Sequence, residues 1–249
     1  MSGHSKWATI KRKKAANDAR RSNQFAKLLR AVEVAAREGG GDPAANMTLA
    51  SAVEKAKASS VPNENIDRAI KRGSGEEGSG ARFEEITYEG YAPGGIALFV
   101  EALSDNRNRT AQDVRHAFTR GGGNLGETGS TAWMFSRKGV IVVEKAAVPD
   151  EEHLLELALE SGAEDMRDAE SSWEIVTEPT ALASVREALR GADIDVFSAE
   201  LTMLPQSTIP VDGGEARRVL QMIEALEDLE DVQNVYANFD IPEEVMASL

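Results

Sequence analysis

The chain has 249 residues, 41% hydrophobic and 5% aromatic, with no cysteine and a formal net charge of −14. That length holds one large domain or two to three small ones. Without cysteine there are no disulfides, thiolate zinc sites or cysteine nucleophiles, and without an apolar run of about 18 residues no membrane span is expected.

The charge is segregated. Residues 1–75 hold fifteen Lys/Arg against seven Asp/Glu, whereas 76–249 hold thirteen against thirty-five. An acidic remainder repels a polyanion and orients it toward the basic end. Lys6, Lys13, Arg20 and Lys27 recur every seven residues, which is one stripe on a helix. Lys11, Arg12, Lys14, Arg21 and Arg30 flank that stripe, while Phe25, Leu28, Leu29, Val32 and Ala36 follow helical spacing on another face. The pattern predicts an amphipathic helix over Gly3–Arg37, ended by Gly39-Gly40-Gly41, since glycine accepts the left-handed cap conformation. A second helix is expected over about 44–58, with Leu49, Ala52, Val53 and Ala56 inward. A third is expected over Pro62–Arg72, with Ile66, Ala69 and Ile70 inward and Gly73 just past its end. Gly73–Gly80 reads as a flexible polar linker.

Beyond it the period changes. Phe83–Tyr88 and Ile96–Leu103 read as strands around the turn Tyr91-Ala92-Pro93-Gly94-Gly95. Helices are expected at Thr110–Arg120, Asp150–Ser161, Thr180–Leu189 and Glu215–Leu226. Further strands are expected at Thr131–Phe135, Val140–Glu144, Ser172–Thr177, Phe197–Leu204 and Val232–Phe239. Short alternating strands and helices after a three-helix start predict an α+β chain, with two α/β units of the split βαβ, ferredoxin-like type.

Several strings carry a resemblance. Gly3-His4-Ser5-Lys6-Trp7, Gly40-Gly41-Asp42-Pro43, Asn46, Pro62-Asn63 and Arg68-Ala69-Ile70 lie in the helical part. Tyr88-Glu89-Gly90-Tyr91-Ala92-Pro93-Gly94-Gly95, Asp105-Asn106-Arg107-Asn108-Arg109-Thr110 and Gly122-Gly123-Asn124-Leu125-Gly126 follow. Together they resemble the YebC/PmpR family over roughly the first 140 residues. Ala92 stands where the family pattern has glycine, and Ser60-Val61 replaces a Lys-Met-like pair. The resemblance implies three domains, the third inserted in the second. On this chain that means a basic helical domain at 1–75, an α/β domain at 80–136 plus 205–240, and another at 137–204. It also implies a regulator of gene expression. Members are labelled DNA-binding transcriptional regulators, a mitochondrial relative is a translational activator, and bacterial members are linked to ribosomes on proline-rich stretches.

The residues point to the same chemistry. Each Lys or Arg beside a phosphate releases condensed counterions and supplies salt-dependent affinity. The candidates in the basic segment are Lys6, Lys11, Arg12, Lys13, Lys14, Arg20, Arg21 and Lys27; Trp7 among them is either a stacking platform or a domain anchor. Arg107, Asn108 and Arg109 form a second candidate cluster, expected in a strand-to-helix loop with Thr110 as cap. The bland alternative pairs these arginines with nearby acids such as Glu101. Gly121–Gly126 and Gly73–Gly78 match G-x-G-x-x-G but lack the strand-glycine-helix context of a dinucleotide site. His4, His116 and His153 are too scattered for a metal, and no nucleophile or metalloprotease motif is present. We therefore expect no catalysis, cofactor, metal or small-molecule substrate. Expected partners are DNA, or ribosomal or transfer RNA with the ribosome, in the cytoplasm and away from membranes. The basic, acid-poor start also loosely resembles a transit peptide.

Overall fold

The computed structural model describes residues 18–76, 82–148, 150–169 and 171–241, with side chains from Ser22 onward at the N-terminal end. Lys6, Trp7, Lys11, Arg12, Lys13 and Lys14, and the side chains of Arg20 and Arg21, lie outside the described residues. The chain is α+β. It divides into two compact units, one drawn from Lys11–Ser130 and Arg218–Val235, the other chiefly from Thr131–Arg217 and Tyr236–Leu249.

The first unit opens with three helices, α1 (Asp18–Gly39), α2 (Met47–Ala58) and α3 (Asn63–Ser74). Their apolar stripes meet in a core of Val32, Ala35, Ala36, Leu49, Val53, Ala56, Ile66 and Ala69, with Phe25, Leu28 and Leu29 packed against it. Leu49 and Ile66 are almost fully buried, each worth about 2 kcal/mol of transfer from water. Gly40, at φ 89°, ends α1. The buried Asn46 then caps α2: its Oδ1 accepts from the Leu49 amide at 3.0 Å, and its Nδ2 donates to the Ala35 and Gly40 carbonyls at 2.8 and 2.9 Å. Gly73 does not stop α3. The left-handed cap is Gly75, at φ 87°, and Gly73 is buried within the helix. A Cβ there would lie 2.3 Å from the Glu33 carbonyl oxygen and 2.7 Å from the Ala36 Cβ, so a bare glycine is what lets α1 and α3 approach. Of the expected linker, residues 77–80 lie outside the described residues.

The same unit carries a sheet of order β3-β1-β2-β9. Strands β1 (Glu84–Tyr91) and β2 (Ala97–Ser104) form an antiparallel hairpin in which Tyr88 faces Val100. Helix α4 (Arg107–Arg120) follows, then the two-residue β3 (Asn124–Leu125). Gly90 is bare because a Cβ would lie 2.5 Å from the Phe118 ring of α4. Strand β9 (Val232–Ala237) comes much later in the chain, after helix α7 (Gly213–Glu227), and lies beside β2.

Between them the chain builds β4 (Phe135–Glu144), α5 (Glu151–Glu160), β5 (Ala163–Ala169), β6 (Ser172–Thr177), α6 (Leu182–Gly191) and β7 (Ser198–Pro205). This is a βαββαβ run with antiparallel sheet order β5-β6-β4-β7, the split βαβ arrangement. Ile141, Val143, Trp173 and Ile175 of its sheet pack with Leu154, Ala158, Val185 and Leu189 of its helices. The segment expected as a strand at Thr131–Phe135 is mainly a 3-10 turn, Ala132–Met134, before β4. A short parallel pair, β8 (Ile209–Pro210) with β10 (Phe239–Asp240), completes this unit.

Candidate nucleic-acid interface

Of Asp105-Asn106-Arg107-Asn108-Arg109-Thr110, only Asp105 and Asn106 lie in the loop. Asn106 caps α4, its side chain accepting from the Arg109 amide at 3.1 Å, so the helix begins at Arg107, three residues before the expected start. Thr110 is thereby freed from capping. It is buried, and its hydroxyl bonds the Asp231 carboxylate at 2.6 Å.

Asp231, at the entry to β9, is the hub of this corner and only 4% exposed. One carboxylate oxygen accepts from Arg30 Nη1 at 2.8 Å. The other accepts from Thr110 Oγ1, from Arg109 Nη2 at 2.9 Å and from Ser104 Oγ at 3.3 Å. Burial by itself pushes the Asp231 carboxyl up and is the largest single influence. The Thr110 and Arg109 hydrogen bonds and the charges of Arg109 and Arg30 together outweigh it and hold the group below the ordinary aspartate range. Arg109 is raised in turn, through its bonds to Asp231 and then Asp105. Arg30 also donates to the Leu103 and Glu230 carbonyls and pairs with the Glu230 carboxylate at 2.9 Å. One turn back, Lys27 donates to the Glu227 carbonyl at the end of α7, the helix terminus that favours a cation. The α1 stripe and the first turn of α4, far apart in sequence, therefore converge on residues 227–231.

The candidate residues separate accordingly. Arg109 is engaged by Asp105 at 2.7 Å and by Asp231; Glu101, the acid expected to pair, accepts from Asn234 at 2.9 Å instead. Lys27 is half-buried against α7. Arg107 and Asn108 are exposed, with no hydrogen-bond or ion-pair partner among the described residues. Arg107 lies close enough to Tyr88 to act on its phenol: burial pushes that group up, and the Arg107 charge opposes the shift. The first turn of α4 contains no acid. A cation at a helix N-terminus opposes the helix dipole; for Arg109 two carboxylates offset that cost, and for Arg107 none does. Uncompensated local cost of this kind marks functional positions. Sequence reasoning missed Asp231 as the organiser of the corner, and it also missed Arg115 and Arg120, exposed further along α4.

The glycine string Gly121–Gly126 follows α4 and precedes β3, so it is a turn; Gly122 has φ 76°. Among the described residues no group of three or more His, Asp or Glu is placed to hold a metal ion, and no helix is long and apolar enough to cross a membrane.

The profile of the TACO1/YebC N-terminal domain matches residues 5–76, and that of the TACO1/YebC second and third domain matches residues 83–239. A protein of Beutenbergia cavernae is 57% identical over 249 residues, covering 100% of this chain and 99% of its own, and is named a probable transcriptional regulatory protein. A protein of Rubrobacter xylanophilus with the same name is 56% identical over the same span and coverage. Among solved structures, a conserved hypothetical protein from Aquifex aeolicus matches with a TM-score of 0.79 and 48% identity, covering 92% of this chain and 94% of that one. With the two profiles spanning most of its length in register, the chain belongs to the TACO1/YebC family.

Proposed function

We propose that this chain is a non-enzymatic, nucleic-acid-binding regulator of gene expression. The observation that carries the reading is the segregation of charge: nine basic residues against one acidic in positions 1–30 of a chain whose net charge is −14. A segment of that composition is an electrostatic footprint for phosphate. The unpaired Arg107 and Asn108 add a second contact point on the α/β part. The proposed division of labour is a helical domain at 1–75, an α/β domain at 80–136 plus 205–240, and an inserted domain at 137–204. The names of the relatives favour DNA and transcription.

A second reading, an RNA- or ribosome-associated translation factor, has its own support. The basic segment is almost purely Lys and Arg, which grips backbone and reads little sequence, a composition suited to an RNA recognised by shape.

Charge reversal at Lys11, Lys13, Lys14, Arg20 and Arg21 tests both. The wild type binds with a log–log salt slope of about −5 if roughly six phosphates of a DNA duplex are engaged. The reversed protein, with an unchanged circular dichroism spectrum, loses binding. Unchanged affinity at physiological salt overturns the proposal.

A further inference from the structure

We propose that the outer face of the β5-β6-β4-β7 sheet docks this chain's own basic segment, Lys6–Lys14, and so withholds it from nucleic acid. The docking stands independently of the nucleic-acid reading above; only its regulatory consequence rests on that reading. Strand alternation sorts the sheet into two faces. Ile141, Val143, Trp173 and Ile175 face α5 and α6. Val140, Val142 and Val176 therefore point away from both helices, and with Leu204 they form a cluster apart from that core. These four side chains are between 2 and 7% exposed, although neither helix of the βαββαβ run covers them. The same face is acidic. Register places Glu174 opposite Val142 and Glu200 opposite Val140, with Glu144 two residues beyond Val142. Two cations share the face, and each has its own carboxylates: Lys138 bonds Glu164 and Glu178, and Arg167 bonds Asp165. Six carboxylates against two cations leave an acid excess around an apolar centre. Glu174 is only 2% exposed, and a carboxylate so buried is stable only opposite cations and donors.

One segment of the chain complements both properties of this face. Residues 1–17, outside the described residues, hold Lys6, Lys11, Arg12, Lys13 and Lys14 and no acid. Trp7 and Ile10 stand among these cations and supply the apolar groups that the valine cluster matches. Trp7 then acts as a domain anchor in the free protein, burying its ring area against the cluster. Length is sufficient: Lys6–Lys14 spans about 30 Å when extended, against roughly 15 to 20 Å across four strands. The same ammonium and guanidinium groups cannot serve this face and a phosphate backbone at once. The carboxylates thus stand in for phosphate, and the apparent affinity for nucleic acid falls with the fraction of chains whose segment is undocked. Such a competitor discriminates against weakly held polyanions.

The test uses the full chain, whose lack of cysteine lets Ala8→Cys and Thr9→Cys, made separately, report on the segment. Alkylation by uncharged iodoacetamide is timed without nucleic acid, and each rate is divided by that of the same protein unfolded in urea. Glu144→Lys/Glu200→Lys raises this ratio about tenfold at one or both positions, the worth of two broken ion pairs. Adding Lys6→Glu/Lys11→Glu restores the slow rate, which an unfolded variant would not do. Glu156→Lys/Glu160→Lys, exposed on α5 and equal in its change of net charge, leaves the ratio within about twofold of the reference. The face variant also binds a DNA duplex or an RNA duplex of the same sequence about tenfold more tightly than the α5 variant does. Equal alkylation with and without the face substitutions overturns this inference and leaves the nucleic-acid reading standing. Shielding that grows with protein concentration also overturns it, because the occupant is then the segment of a second copy. Shielding as described, with no binding of either duplex by any variant, upholds the docking and overturns the nucleic-acid reading instead.

Discussion

Two sets of arginines in this chain have opposite fates. Arg30, Arg37, Arg72 and Arg109 end on carboxylates: Arg30 and Arg109 on Asp231, Arg37 and Arg72 on the buried Glu33. Arg107, Arg115 and Arg120 end in solvent. Three of the first set, Arg30, Arg72 and Arg109, join segments that the sequence keeps apart, with Asp231 lying 201 residues from Arg30. The second set stands on one helix. Counting basic residues locates charge, but only the fold separates charge spent on holding the protein together from charge left for a partner.

The sharpest way to break that comparison is to remove the hub. Asp231→Ala leaves Arg30 without its buried counter-charge and lowers unfolding free energy by about 3 kcal/mol in urea titration. Arg107→Ala shifts it by no more than about 0.5 kcal/mol, as surface substitutions do, while weakening nucleic-acid binding. Equal destabilisation by the two substitutions would erase the distinction. Next in size is Gly73→Ala. It forces α1 away from α3 and costs about 2 kcal/mol by overpacking, which thermal melting reads directly; a neutral result would show that the helices yield.

Acid titration sharpens the comparison further. The folded Asp231 carboxyl lies below its unfolded value, so its contribution is fully present above the unfolded value of about 3.9 and is lost as pH falls through the lower folded one. The gap in unfolding free energy between wild type and Asp231→Asn is therefore wide at pH 6 and narrows below about pH 4. A gap independent of pH would place the cost of the substitution elsewhere. The smallest expected effect is at Tyr88, whose buried hydroxyl has no hydrogen-bond partner among the described residues. Tyr88→Phe removes an unsatisfied group and leaves stability within about 0.5 kcal/mol of wild type or slightly above it.

Much of the fold was legible in the sequence because periodicity is local. Leu49, Val53 and Ala56 announce the inner face of α2, and Ser172–Thr177 is a strand with the bounds its residues suggest. The failures are instructive. Strand β5, Ala-Glu-Asp-Met-Arg-Asp-Ala, was missed because it is an edge strand, paired only with β6 and largely polar. Gly73 was misread as a stop because its close neighbour, the Glu33 carbonyl, belongs to another helix. At the candidate interface the sequence pointed to Arg107, Asn108 and Arg109 alike. Locally only Asp105, four residues before Arg109, distinguishes it from Arg107; Asp231, the buried acid that also claims Arg109, lies 122 residues away. Helical spacing could have disclosed the exposed row of Asn108, Gln112 and Arg115, had the helix been started at Asn106 instead of Thr110.

Ultraviolet crosslinking in cells tests the central claim most directly, with DNA and RNA recovered in parallel and the crosslinked peptides of this chain identified. The account predicts crosslinked nucleic acid on peptides from the first 21 residues and from Arg107–Arg120, and none on Lys27–Arg37, where the cations are already paired. Absence of crosslinked DNA and RNA above background, or crosslinks confined to the segment whose cations are paired, would contradict it.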